Sequence, residues 1–172
     1  MKTHYILFFI IFISCNSKVT KNVSEAKSLI EKEIYFEDYT LIDSLLQNKY
    51  LLISFVDSGK CTPCSLQKVQ SFNANKERLK KLNIEVLLII NNTDNTSIEK
   101  TLKDLNINFS TIVDKKGRFK TNNLIPSDTK YHDFIIDKSY KVFWVGSPFF
   151  NIESWEKFNH LIKIKNNINA LQ

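Results

Sequence analysis

Residues 50–64 read YLLISFVDSGKCTPC, and this stretch decides the fold. Its first seven residues form a nearly continuous apolar run, which predicts a strand buried on both faces. Residues 57–60 predict a turn. Cys61 and Cys64 then open a helical pattern that extends to about Leu82, and Pro63 suits the first turn of a helix. The stretch therefore predicts a strand, a turn and a helix, with two cysteines at the start of the helix.

The rest of the chain alternates between strand-like and helix-like patterns. The apolar residues 84–90 predict a second buried strand, and Thr96 followed by Glu99 matches a capping box that would start a helix. Residues 137–140 predict the turn of a late hairpin. This order predicts an α/β fold with a mixed central sheet and helices on both faces. The other predicted elements are helices at 24–33, 40–47, 119–125 and 153–168, an edge strand at 34–36, an extended piece at 109–113, and hairpin strands at 131–136 and 141–145.

The composition fits a single packed domain and argues against a nucleic acid as partner. The chain has 172 residues, of which 43% are hydrophobic, and its three cysteines are too few for a disulfide-stapled miniprotein. The formal net charge is +6, but the lysines are scattered and the arginines are Arg78 and Arg118. Nucleic-acid-binding proteins usually concentrate basic residues, including arginine, in one stripe.

The first residues have the pattern of a secretory signal. A short basic start precedes an apolar run at residues 5–13, which is too short to cross a bilayer as a helix. The sequence Phe12-Ile13-Ser14-Cys15 resembles a bacterial lipobox, and this resemblance implies a lipid on Cys15 after cleavage of the signal. The alternative is an ordinary signal peptide with an incidental cysteine.

This interpretation divides the chain into three parts. We expect a lipoprotein signal peptide at 1–14, a tether with an N-terminal extension at 15–33, and a folded domain at 34–172. The folded domain would lie in the cell envelope, on the periplasmic side, where disulfides persist, held to a membrane by the N-terminal lipid. Cys61 and Cys64 are then the cysteines left for another role.

The spacing of Cys61 and Cys64 lets both sulfurs lie on one side of the first helical turn, close enough for a disulfide. A helix N-terminus stabilises a thiolate through its unpaired N–H groups. Cys61, at the exposed tip, is predicted to attack, and Cys64 to resolve the mixed disulfide. Lys60 would lower the pKa of the Cys61 thiol, and Pro63 would tune the redox potential. The alternatives are a metal or copper site and an inert structural disulfide. A zinc site is disfavoured because the sequence has no second cysteine pair.

The stretch from residue 50 to about residue 164 resembles a thioredoxin-like domain. The residues that carry this resemblance are the C-x-P-C motif, the strands around it, and Phe134-Ile135-Ile136-Asp137 followed by Lys141-Val142. It is most similar to membrane-tethered thiol–disulfide oxidoreductases of bacterial envelopes. The resemblance implies a three-layer sandwich that reduces protein disulfides through Cys61 and Cys64 without a cofactor. The implied partners are envelope proteins with thiols or disulfides, and an upstream electron donor.

Several positions depart from the pattern of that family. Lys60 stands where Trp is usual, Phe55 where thioredoxin has a buried carboxylate, and Gln67 where envelope relatives often have Glu. Residues 130–133 stand where the family's cis-proline is expected. The last of these departures, the missing cis-proline, makes the side chains near position 132 candidates for a role of their own.

His132 is the first of these candidates. At the place of the cis-proline it could approach Cys61, either as a base for the thiol or as a third metal ligand with Cys61 and Cys64. The simpler alternative is a polar residue that opens a strand at the surface. Asp57 and Asp133 are further candidates for proton handling, with solvated turn carboxylates as the alternative.

Three functions follow from these patterns. The leading hypothesis is a lipid-anchored thiol–disulfide oxidoreductase. The second is a carrier of copper or another metal that uses Cys61, Cys64 and His132. The third is a redox-inert interaction module of the envelope that keeps the fold. A peroxiredoxin is disfavoured because the sequence has no Pro-x-x-x-Thr-x-x-Cys run.

Overall fold

The computed structural model describes residues 27–47, 50–57, 66–92 and 94–170. The strands are β1 (Tyr50–Asp57), β2 (Ile84–Asn91), β3 (Ser110–Val113), β4 (Asp133–Ile136) and β5 (Val142–Val145). The helices are α1 (Thr40–Leu46), α2 (Gln70–Ala74), α3 (Lys76–Lys81), α4 (Asn95–Asp104), α5 (Arg118–Asn122) and α6 (Ile152–Ala170). A 3-10 turn, Thr129–Tyr131, precedes β4.

The strands form one mixed sheet in the order β3–β2–β1–β4–β5. β1 is central and pairs in parallel with β2, which in turn pairs in parallel with β3. β4 runs antiparallel to β1, and β5 runs antiparallel to β4. Parallel neighbours need long crossover connections, whereas a short turn can join antiparallel strands such as β4 and β5. This sheet, flanked by helices, confirms the predicted thioredoxin-like α/β fold.

Both faces of the sheet are covered, as the near-continuous apolar pattern of β1 requires. On one face, here called the α6 face, Leu52 packs in a cluster with Phe72 of α2 and Phe158 of α6. On the other, here called the α1 face, Ile53 packs in a second cluster with Ile42 of α1. Successive side chains of β1 therefore serve different clusters, and the domain has the three layers that were predicted.

The segment before α1 packs on the domain without adding a strand. Leu29 is fully buried on the α1 face, and Glu33 forms a single bridge with Lys141. The edge strand predicted at 34–36 is wrong. The Asn123 side chain takes the place of a neighbouring strand, because its Oδ1 accepts from Tyr35 N at 2.7 Å and its Nδ2 donates to Tyr35 O at 2.9 Å.

The single helix predicted to extend to Leu82 is interrupted in its described part. Asn75 separates α2 from α3, with φ −111° and ψ 15°. Its Nδ2 donates to Ser71 O at 2.8 Å, so the side chain competes with the backbone for a helical carbonyl. The apolar face was predicted correctly, since Leu66, Val69 and Phe72 are all fully buried.

The start of α4 also differs from the prediction. Asp94, rather than Thr96, caps the helix, because its Oδ1 accepts from Thr96 N at 3.1 Å and Ser97 N at 3.3 Å. A carboxylate at this position satisfies the free N–H groups of the first turn, so the capping box is not used.

In the parts of the chain that the structure describes, no helix has the length and apolar character needed to span a membrane.

Candidate functional site at the polar end of the sheet

One end of the sheet gathers polar side chains from several elements. Asp57 at the end of β1 lies opposite Asn91 at the end of β2, and Asp133 at the start of β4 pairs with Ser54. From this end, β1 continues directly into residues 58–65. We call it the polar end of the sheet, and define it by Ser54, Asp57, Lys68, Asn91, Lys120, His132 and Asp133.

The dithiol motif and the predicted lipid site belong to parts of the chain that the structure does not describe. Lys60, Cys61, Pro63 and Cys64, and the predicted lipid site Cys15, lie outside the described residues. Their roles stay predictions from the sequence. The structure describes Asp57, which precedes residues 58–65 in the chain, and Lys68, which follows them, and each of these side chains forms an ion pair.

Asp133 belongs to the more deeply buried pair. It is 5% exposed, and the fully buried Ser54 hydroxyl donates to its Oδ1 at 2.6 Å. The Lys68 ammonium lies 3.1 Å from the same oxygen and 3.3 Å from the carbonyl oxygen of Phe55. Burying a carboxylate is costly unless it has an ionic partner and hydrogen bonds, and Asp133 has both. The alternative of a solvated turn carboxylate is wrong for Asp133, because the 3-10 turn delivers it to the first position of β4, opposite Ser54.

Asp57 forms the second pair at the end of β1. Lys120 Nζ lies 2.7 Å from Asp57 Oδ2, and Asn91 Nδ2 donates to Asp57 Oδ1 at 3.4 Å. Both side chains of the ion pair are 31% exposed, so water screens it more than it screens Asp133. Asp57, the last residue of β1, therefore connects this strand to β2 through Asn91 and to α5 through Lys120.

His132 is buried, not at the surface. It is 2% exposed, and its ring packs against Phe55 with 5.1 Å between centroids. Its Nε2 lies 2.9 Å from the carbonyl oxygen of Pro126, and since a carbonyl only accepts, Nε2 carries the hydrogen and Nδ1 the lone pair. Burial lowers the pKa of His132 by more than the Pro126 hydrogen bond raises it, and the charges of Lys68 and Lys120 add to the lowering. The ring is therefore neutral at pH 7.

His132 and Asp133 lie on opposite faces of the sheet. The partner of the His132 ring, Phe55, belongs to the α1 face, whereas Ser54 and Asp133 share the other face with Lys68. The helical segment that follows the dithiol packs on the α6 face through Leu66. Asp133 therefore faces the same side of the sheet as that segment, and His132 does not.

Sequence reasoning underestimated Asp133 and missed Lys68. One signal was available: Ser54 is the polar residue inside the otherwise apolar run of residues 50–56. A hydroxyl at a position buried on both faces needs a hydrogen-bond partner, which the neighbouring strand must supply. The partner itself was not readable, because it depends on the antiparallel register of β1 and β4.

The proposed metal set has one described member. Among the described residues, no group of three or more His, Cys, Asp or Glu side chains is arranged to hold a metal ion. Cys61 and Cys64 lie outside that part of the chain, so the set of Cys61, Cys64 and His132 stays a prediction. The hydrogen bond to Pro126 would leave Nδ1 as the ring nitrogen of His132 that can bind a metal.

Comparison with known proteins agrees with this architecture. Residues 23–145 match the AhpC/TSA family. No curated protein sequence matches the chain.

Solved structures of the same fold come from several bacteria. A protein of Chlorobium tepidum provisionally named thiol:disulfide interchange protein DsbE is 21% identical, with TM-score 0.52, over 70% of this chain and 82% of its own. A Bacteroides vulgatus protein provisionally named a thiol-disulfide oxidoreductase is 17% identical, with TM-score 0.54, over 71% and 79%. A thiol-disulfide oxidoreductase of Bacteroides fragilis is 19% identical, with TM-score 0.50, over 66% and 82%. At these identities the likeness shows a shared fold.

Proposed function

The chain belongs to the AhpC/TSA family, and from that premise we propose that it is a thiol–disulfide oxidoreductase that reduces protein disulfides through Cys61 and Cys64. One observation carries the proposal. The C-x-P-C sequence directly follows the polar end of β1, the central strand of a thioredoxin-like sheet. In open α/β sheets, the carboxyl ends of the strands are where ligands and substrates bind.

The proposed reaction moves two electrons and two protons. The Cys61 thiolate attacks one sulfur of a substrate disulfide, which forms a mixed disulfide and expels one substrate thiolate. The Cys64 thiolate then attacks the Cys61 sulfur and expels the second substrate thiolate. The chain ends with a Cys61–Cys64 disulfide and the substrate with two thiols. A donor of the dithiol class must reduce the pair again before the next cycle.

The test uses the purified full chain, first reduced and then freed of reductant. A protein with an exposed disulfide is added, and the thiols released from it are counted over time. We expect two thiols for each wild-type chain, none from Cys61→Ser, and a stable mixed disulfide with Cys64→Ser. The matched control is Cys15→Ser, which should react like wild type. A Cys61→Ser chain as active as wild type would overturn the proposal.

Hydrogen peroxide serves as the competing oxidant in the same assay. It distinguishes disulfide reduction from thiol-dependent peroxide reduction, which the sequence disfavours because it lacks the Pro-x-x-x-Thr-x-x-Cys run. We expect the reduced chain to react faster with the disulfide substrate than with peroxide at the same concentration. Faster consumption of peroxide would replace the proposed activity with a peroxidase.

We further propose that Cys15 carries a lipid that holds the domain in the cell envelope. The support is the sequence of residues 1–15, which joins an apolar run to a small residue and a cysteine. Cells grown with a labelled fatty acid should label the wild-type chain and Cys61→Ser, but not Cys15→Ser. Label retained by Cys15→Ser would contradict this assignment.

A further inference from the structure

A cavity of about 410 Å³ opens on the α1 face of the sheet, beside the edge strand β3. Its floor includes Ile89 of β2 and Ile112 of β3, which pack in the cluster of the α1 face. None of the described residues that line this cavity belongs to the polar end of the sheet. Cavities of roughly 300–1,000 Å³ are of the size that holds a small organic ligand.

Apolar and aromatic side chains form the walls of this cavity. Tyr35, Phe36 and Leu41 line one wall, and Phe119 of α5 lines the other. The rings of Phe36 and Phe119 lie 5.8 Å apart between centroids, so the two walls are in contact. Tyr35 and Leu41 remain 51% and 37% exposed. Exposed apolar side chains at the rim of a cavity indicate a binding surface, and the aromatic ones favour a ligand with a ring.

An ion pair joins the same two walls at the surface. Arg118 Nε lies 2.8 Å from Glu37 Oε1, and Arg118 Nη2 donates to Glu37 Oε2 at 3.1 Å. Both side chains line the cavity and are about half exposed. The contact is bidentate, so the two charges neutralise each other in a defined geometry at the mouth of the cavity.

The turn after β3 brings two lysines to this mouth. The Asp114 carboxylate accepts from the backbone N–H groups of Arg118 at 3.1 Å and Phe119 at 2.8 Å, which fixes the turn. Lys115 and Lys116 follow Asp114 in the turn, line the cavity and are exposed. Among the described residues, neither ammonium group has a hydrogen-bond or ionic partner. The turn therefore presents two adjacent cations whose binding capacity is unused.

The carboxylates at the cavity are already engaged, unlike the lysines. Glu37 and Asp114 have the partners given above, and Asp38 Oδ1 accepts from the backbone N–H of Thr40 at 2.8 Å. The charged side chains at the cavity sum to zero formal charge, but each carboxylate has at least one donor. The charge that the two lysines would bind is therefore that of an anion.

We infer that this cavity binds a small organic anion with an aromatic body, whose charged group lies between Lys115 and Lys116. The ring of the ligand lies among the aromatic side chains of the two walls. None of the residues that carry this inference belongs to the dithiol motif, so the inference goes beyond the proposed function and can be tested without it.

The test titrates the purified, isotope-labelled full chain with 2-naphthoate and follows the backbone amide shifts. We expect saturable binding, with the largest shifts at residues 35–41 and 112–119. The uncharged 2-naphthamide has the same ring system and should bind about fivefold more weakly, because an exposed ionic contact contributes little.

Two double variants test the lysines. Lys115→Ala/Lys116→Ala should bind 2-naphthoate about fivefold more weakly than wild type and leave the binding of 2-naphthamide unchanged. The matched control is Lys80→Ala/Lys81→Ala, which removes another pair of adjacent exposed lysines at the end of α3. This control should bind both compounds like wild type.

Two single variants test the cavity itself. Leu41→Trp fills the cavity from its rim and should abolish the binding of both compounds. Ile164→Trp adds the same side chain on α6 at a residue of similar exposure, 43%, and should bind both like wild type.

Several outcomes would overturn the inference. They are no saturable binding of 2-naphthoate to wild type, largest shifts outside the two named segments, and equally tight binding of 2-naphthamide. Undiminished binding of 2-naphthoate by Leu41→Trp or by Lys115→Ala/Lys116→Ala would also overturn it. If Leu41→Trp does not fold, the contrast between the two double-lysine variants decides, since all four lysines are exposed.

Discussion

The two halves of strand β1 show what stabilises this domain and what remains for chemistry. In the first half, Leu51, Leu52 and Ile53 pair with apolar residues of β4, and every side chain is fully buried. One residue later the pairing becomes Ser54 with Asp133, a hydroxyl and a carboxylate. The same ladder therefore changes from apolar to polar between neighbouring residue pairs, at the end of β1 that leads to Cys61 in the sequence.

A charged pair at the opposite end of β4 makes the contrast more specific. Lys165 Nζ of α6 lies 3.1 Å from Asp137 Oδ2, the same separation as in the pair of Lys68 and Asp133. Asp137 is 25% exposed, however, whereas the side chain of Asp133 is 8% exposed. Charge alone does not distinguish the two ends; desolvation does, because it strengthens each interaction and raises the cost of breaking it.

Leu52→Ala should have the largest effect on stability. Leu52 is fully buried on the α6 face, and a cavity in a close-packed core costs about 2–5 kcal/mol of unfolding free energy. Urea unfolding would measure the loss. The pH profile of thiol alkylation at the dithiol should stay unchanged in the folded variant, because no charge is altered. A loss of unfolding free energy below about 1 kcal/mol, or a shifted alkylation profile, would contradict the distinction between the two halves of β1.

Asp133→Asn should have a smaller effect on stability. It leaves Lys68 without an ionic partner but keeps an oxygen that accepts from Ser54, so we expect a loss of about 1–3 kcal/mol. Asp137→Asn is the matched variant and should lose less than about 1 kcal/mol, since its pair is more exposed. Urea unfolding of both variants under the same conditions compares the two ends. Equal losses would contradict the role assigned to burial.

His132 should make the stability depend on pH in a specific window. Burial lowers its pKa in the folded state, so below its unfolded value of about 6.5 the unfolded chain binds the extra proton. Its contribution is complete above that value and falls as the pH decreases, by at most about 1.4 kcal/mol per pH unit. Unfolding curves between pH 7 and pH 5 measure this slope. His132→Gln should flatten it, and an equally steep slope in that variant would show that another group titrates.

Lys165→Met should have the smallest effect. A partly exposed ion pair contributes about 0–1 kcal/mol at pH 7. Burial raises the pKa of Asp137, but the Ser139 hydroxyl and the Lys165 ammonium together lower this pKa by more than burial raises it, so the net shift is downward. This depressed pKa stabilises the fold above the unfolded value of about 3.9, and the contribution is lost as the pH falls below it. Lys165→Met should therefore have a slightly lower free energy of unfolding at pH 7, and this free energy should fall less steeply as the pH decreases. A loss of unfolding free energy above about 2 kcal/mol at pH 7 would contradict the small contribution expected of this ion pair.

The sequence was sufficient for the architecture because hydrophobic period and chain order determine it. The apolar runs at residues 50–56 and 84–90 became β1 and β2, and the amphipathic pattern after residue 152 became α6. The errors in the secondary structure share one feature: a short polar side chain forms a hydrogen bond with a backbone group. Asn75 interrupted a helix, Asp94 capped one, and Asn123 took the place of a strand partner for Tyr35.

The candidate site was predicted less completely than the fold. Cys61 and Cys64 were found because their spacing is a local pattern. Asp133 and Lys68 are 65 residues apart, and they meet through the antiparallel register of β4 on β1. That register also decides which of His132 and Asp133 lies on the α6 face, since neighbouring residues of a strand face opposite sides of a sheet.

The most direct measurement of the central claim is the oxidation state of residues 61–68 after the reduced full chain has met a limiting amount of protein disulfide. Trypsin cleaves after Lys60 and Lys68 and releases this peptide with both cysteines, so its mass reports whether they have joined. We predict a Cys61–Cys64 disulfide, two hydrogens lighter than the dithiol, in proportion to the substrate disulfide consumed. A peptide that keeps both thiols while the substrate disulfide remains intact would contradict the claim that the polar end of this sheet serves thiol–disulfide exchange.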